Sequence, residues 1–79
     1  MSQFRATVTA SGNAVMYGLD RMYGWFYTEF DKKNDKTVVE LDSYVSGGLS
    51  RGKLIELLEK TNAPYEHKMR IALDLDPAG

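Results

Sequence analysis

Asn13-Ala14-Val15-Met16-Tyr17-Gly18-Leu19-Asp20-Arg21-Met22-Tyr23 is the stretch on which the fold turns. At helical spacing, Asn13 caps a short helix whose Val15, Leu19 and Met22 share one stripe at i, i+4 and i+7. As extended chain, the same residues make a second strand hairpinned to the first. Gly18 in the middle weakens a helix by about 1 kcal/mol relative to alanine. A helix or helical turn is the preferred reading.

On the N-terminal side, Gln3 to Thr9 alternates, with Phe4, Ala6 and Val8 on one face and Arg5, Thr7 and Thr9 on the other. That is a half-buried strand with its threonines outward, closed by a turn at 10–13. On the C-terminal side, Trp25 to Asp31 is a strand with Phe26, Thr28 and Phe30 on one side and Trp25, Tyr27 and Glu29 on the other. Lys32-Lys33-Asn34-Asp35-Lys36 is a polar turn, and Thr37 to Val45 resumes as a strand, so the pair reads as a β-hairpin. Ser46-Gly47-Gly48 ends it. Ser50 then caps a helix over about 51–61, with Leu49 and Leu54 as a hydrophobic staple and Leu54, Ile55, Leu57, Leu58 and Thr61 as its stripe. Asn62 and Pro64 stop it. His67 to Asp76 alternates again, Met69, Ile71, Leu73 and Leu75 against Lys68, Arg70, Ala72, Asp74 and Asp76, which predicts a last strand.

The expected class is therefore α+β: a small, mostly antiparallel sheet of about four strands, with one well-defined helix packed on one face. If 13–23 is helical, the order is βαββαβ and the fold ferredoxin-like. Residues 1–79 make one domain, since the chain has only 79 residues. At that size about 60% of the extended surface is buried, enough for one small core and too little for a deep enclosed cavity. Ten Lys+Arg against eleven Asp+Glu give a net charge of −1, without the basic excess that phosphate contacts require, so nucleic acid is a disfavoured partner. No apolar stretch approaches the roughly 20 residues of a membrane span, and no charged-then-apolar leader opens the chain, which predicts a cytoplasmic protein. With no cysteine, disulfides and thiolate metal sites are excluded.

Four constellations are candidates for chemistry. Gly47-Gly48-Leu49-Ser50-Arg51-Gly52-Lys53 fits the glycine-lysine core of a phosphate-binding loop. Leu54 supplies no magnesium-ligating hydroxyl, however, and Ser50 is better used as a helix cap. Tyr23 to Phe30 loosely resembles the aromatic strand of RNA-recognition domains, but at a different strand position and with Glu29 in it. Asp74 and Asp76, on one strand face, offer too few oxygens for a hard cation. His67, the single histidine, has no second histidine or cysteine to work with and reads as a partly buried structural residue. No catalytic, cofactor or metal residue is assigned.

The six rings Tyr17, Tyr23, Trp25, Phe26, Tyr27 and Phe30 exceed what one small core can hide. The expected function is non-catalytic binding of a protein partner, accessory or inhibitory, with self-pairing as a homodimer. The contact surface is placed at Tyr17, Asp20, Arg21, Tyr23, Trp25 and Tyr27, or at an open sheet edge. The alternatives are a single-stranded nucleic-acid module stacking bases on Trp25 and Tyr27, and a small enzyme whose site lies between two copies.

Overall fold

The computed structural model describes residues 3–44 and 48–77. Four strands, β1 (Phe4–Thr7), β2 (Ala14–Asp20), β3 (Gly24–Asp31) and β4 (Lys36–Asp42), precede two helices, α1 (Arg51–Leu58) and α2 (Tyr65–Ala72). The strands form one antiparallel sheet in the order β1-β2-β3-β4, each paired with its neighbour in sequence. The class is α+β with a four-stranded antiparallel sheet. The order ββββαα differs from the ferredoxin-like arrangement.

Two expectations are corrected. Residues 14–20 form a strand, because Val15, Tyr17 and Leu19 also alternate at a period of two, and that reading puts all three against the core while Gly18 faces away. Residues 65–72 form a helix in place of the last strand. Pro64 leads it with φ −59, and Glu66, Lys68, Met69, Arg70 and Ala72 are good helix formers. Of the four apolar residues that alternate there, only Ile71 is buried; Met69, Leu73 and Leu75 are exposed. α2 closes on Asp74, which takes a left-handed φ of 62. There Asp74 N donates to Ile71 O at 3.0 Å and Leu75 N to Arg70 O at 2.8 Å, the paired bonds of a Schellman end. Asp74 and Asp76 therefore do not share a strand face.

Tight local chemistry makes the hairpins. Asp20 Oδ1 accepts from Met22 N (2.7 Å) and Tyr23 N (3.0 Å) between β2 and β3, and Gly24 follows at φ 72. Asp31 Oδ1 repeats the device between β3 and β4, accepting from Lys33 N and Asn34 N at 2.9 and 3.2 Å. α1 starts where expected, with Ser50 Oγ accepting from Lys53 N at 3.1 Å. It ends at Leu58, earlier than expected, because the chain at 60–62 leaves the helix to bind the outer edge of β1. Asn62 N donates to Thr7 O, and Thr9 N to Lys60 O, both at 3.1 Å. Thr61 Oγ donates to Leu58 O at 2.7 Å and accepts from Ala63 N at 3.1 Å, which joins the helix end to this crossing.

One core cluster unites Val15, Tyr17, Trp25 and Tyr27 of the sheet with Leu49, Leu54, Leu58, Ala63 and Ile71. Each fully buried large apolar side chain in such a core contributes roughly 1.5–3 kcal/mol relative to exposure. Arg51 Nη1 donates to Ala72 O at 3.0 Å, tying the start of α1 to the end of α2. No described helix is long and apolar enough to cross a membrane.

Candidate contact surface

The strand registers divide the sheet residues between two faces. One cross-strand row runs Phe4–Tyr17–Tyr27–Leu41, the next Ala6–Val15–Glu29–Val39, and Leu19 faces Trp25. These rows belong to the core side. The intervening rows are Arg5–Met16–Thr28–Glu40, Gly18–Phe26–Asp42 and Thr7–Ala14–Phe30–Thr37. They lie on the opposite face, and none of their residues belongs to the buried core cluster. Met16, Phe26, Thr28 and Phe30 are half-buried there, while Arg5 and Glu40 are exposed.

This face is not flat. A hollow of about 450 Å³ lies between Met16, Asp20, Tyr23, Phe26 and Asp42. A second, of about 250 Å³, lies between Arg5, Ala14, Met16, Phe30 and Lys32. The smaller borders Ala14, which stands beside Phe30 of β3; Gly18, beside Phe26, is buried and lines neither hollow. The Gln3 side-chain amide lies against the Met16 sulfur at the rim.

The six residues singled out in the sequence separate into two groups. Tyr17, Trp25 and Tyr27 are 0%, 8% and 1% exposed and belong to the core, so they offer no ring to a partner. The Tyr17 hydroxyl lies 2.6 Å from His67 Nδ1, and burial pushes its pKa up to about 12. The Tyr27 hydroxyl donates to Glu29 Oε1 at 3.2 Å, and burial, followed by the Glu29 charge, pushes it to about 12 as well. Asp20, Arg21 and Tyr23 instead gather at the β2–β3 turn. Asp20 caps that turn, and the Tyr23 and Met22 amides hold its carboxyl below the usual carboxylate range. Tyr23 is 54% exposed and meets Tyr44 edge to face, with ring centroids 6.3 Å apart. Asp20 and Tyr23 line the larger hollow.

Met16, Arg5 and Glu40 carry no surface signal in the sequence, and Phe26 and Phe30 stand there only among the six rings in excess of one small core. The alternation of β3 does separate Phe26, Thr28 and Phe30 from Trp25, Tyr27 and Glu29; since both sets carry rings, it does not say which set the helices cover.

His67 is half-buried on α2, with its ring 4.2 Å from that of Phe4 and its Nδ1 against the Tyr17 hydroxyl. Gly52 and Lys53 lie in the first turn of α1, and Gly47 lies outside the described residues. Among the described residues, no group of three or more His, Asp or Glu is placed to hold a metal ion. Comparison with family models, curated proteins and solved structures returns no match.

Proposed function

We propose that this chain is a small, non-catalytic protein-binding module that also pairs with itself, and that its contact surface is the uncovered sheet face. The observation that supports it is the set of half-buried apolar side chains there, Met16, Phe26 and Phe30, flanked by exposed charges and outside the core. An apolar centre with a charged rim is the usual anatomy of a protein contact. Tyr23 and Asp20 extend the surface at one end, and Arg21 lies beside them. Asp20, Glu40 and Asp42 on the same surface disfavour the phosphates of a nucleic acid. Trp25 and Tyr27, which base stacking would use, are in the core.

The test is affinity capture from the native host with wild type, Phe26→Lys and Tyr65→Lys in parallel. Tyr65 is exposed on α2, away from the sheet face, and serves as the control. Proteins retained by wild type and Tyr65→Lys but lost with Phe26→Lys support the reading. An identical retained set for all three folded chains refutes it.

A further inference from the structure

Resting on that reading, we infer that the occupant of the open face is a second copy of this chain, docked face to face about a two-fold axis parallel to the strands and between β2 and β3. The face is self-complementary under that operation. Consider the row Arg5–Met16–Thr28–Glu40, one residue from each strand. A half-turn about an axis along the strands lays β1 of one copy over β4 of the other, so Arg5 meets the second Glu40, twice per pair. Met16 meets Thr28 in the same way. A half-turn about an axis across the strands would lay β1 over β1 and β4 over β4, opposing like charges in this row.

The relief of the surface obeys the same symmetry. On this face β2 carries Ala14 and Gly18, the small members of their rows, and β3 carries Phe30 and Phe26 opposite them. The along-strand axis sets β3 of one copy above β2 of the other. Phe26 then comes down over Gly18, its small cross-strand neighbour, and Phe30 at Ala14, on the smaller hollow. Isologous contacts require each patch to be complementary to itself, and large against small with plus against minus meets that requirement. Two sheets stacked this way keep their strands within about 30° of one another.

Neither Arg5 nor Glu40 takes part in an ion pair among the described residues. The size of the face sets the strength. Four strands spaced about 4.8 Å apart, of four, seven, eight and seven residues, give a flat footprint of about 410 Å² per copy. A pair of such footprints falls below the standard interface size, so the dimer is weak, with dissociation in the micromolar range or above.

Sedimentation over a concentration series to about 1 mM is the first measurement. Wild type is expected to show a monomer–dimer equilibrium. Arg5→Glu and Glu40→Arg are each expected to weaken it about tenfold or more, and an equimolar mixture of the two to restore it, because the mixed pair has opposite charges at both contacts. Both residues are exposed, and circular dichroism checks that the variants stay folded. Because the chain has no cysteine, the geometry is also open to cross-linking. Arg5→Cys mixed with Glu40→Cys should form an intermolecular disulfide readily, and Arg5→Cys alone should not. A chain that stays monomeric at 1 mM, a dimer indifferent to the charge reversals, or cross-linking of Arg5→Cys with itself overturns the inference. Loss of the self-pairing removes that part of the proposed function, whereas binding of a different protein at this face stands or falls on the capture experiment with Phe26→Lys.

Discussion

Replacing Thr61 by valine keeps the shape of the side chain and removes one buried oxygen that serves two partners. Thr61 Oγ donates to Leu58 O at 2.7 Å and accepts from Ala63 N at 3.1 Å. The Leu58 carbonyl still receives Thr61 N at 3.0 Å in the variant, so the group left without a partner is the Ala63 amide. Ala63 and Thr61 are both buried, so water cannot readily take the place of the lost oxygen. Two net hydrogen bonds at about 1 kcal/mol each, with a buried donor left unmet, give an expected loss of about 2–3 kcal/mol. In a domain of this size that lowers Tm by about 8–24 °C. Thr61→Ser keeps both bonds and gives up one methyl group, worth about 0.8 kcal/mol. Urea and thermal denaturation followed by circular dichroism should therefore rank wild type above Thr61→Ser and Thr61→Val last. A valine variant as stable as wild type, or more stable than the serine variant, would refute the assignment of Thr61 as the polar joint between α1 and β1.

Gly24→Ala is expected to cost about 2–3 kcal/mol, since φ 72 is a left-handed conformation that alanine resists. The added Cβ would also sit 2.5 Å from Ser43 Oγ, which accepts from Trp25 N at 3.1 Å. Fluorescence of the single tryptophan in a urea series reads the loss, and an unchanged midpoint would contradict it. Tyr17 and Tyr27, raised from 10.0 to about 12, hold their protons more tightly folded than unfolded. Their contribution is complete below pH 10 and is lost as pH rises through 10 towards 12, so unfolding should accompany tyrosinate formation in ultraviolet absorbance. Tyrosinates that form without loss of structure would show that these phenols are not held in the core.

Where one interaction dominates locally, the sequence is a good guide. Ser50, Leu49 and Leu54 announce the start of α1, and the polar run at 32–36 announces the turn between β3 and β4. Segments that satisfy two periods are ambiguous. Val15, Leu19 and Met22 suit a helix as well as Val15, Tyr17 and Leu19 suit a strand, and tertiary pairing with β1 and β3 decides. At 65–72 the alternation of Met69 with Ile71 imitates a strand, although the helix buries Ile71 alone of that set. The surface was legible only in part for the same reason. Asp20, Arg21 and Tyr23 sit at a turn and had to be outside, whereas β3 carries rings on both sides. Which side became interior depended on where α1 and α2 came to rest, information that a single strand does not hold.

The crossing of residues 60–62 over β1 has a consequence for colloidal behaviour. Thr7 and Thr9 already spend outward main-chain groups on Asn62 and Lys60, so extending the sheet at that flank means first displacing this segment. Among the described residues, the β4 flank has no neighbouring strand. A fibre grows by recruiting at both flanks of every subunit; with one of them obstructed, edge-wise addition tends to stop at a pair.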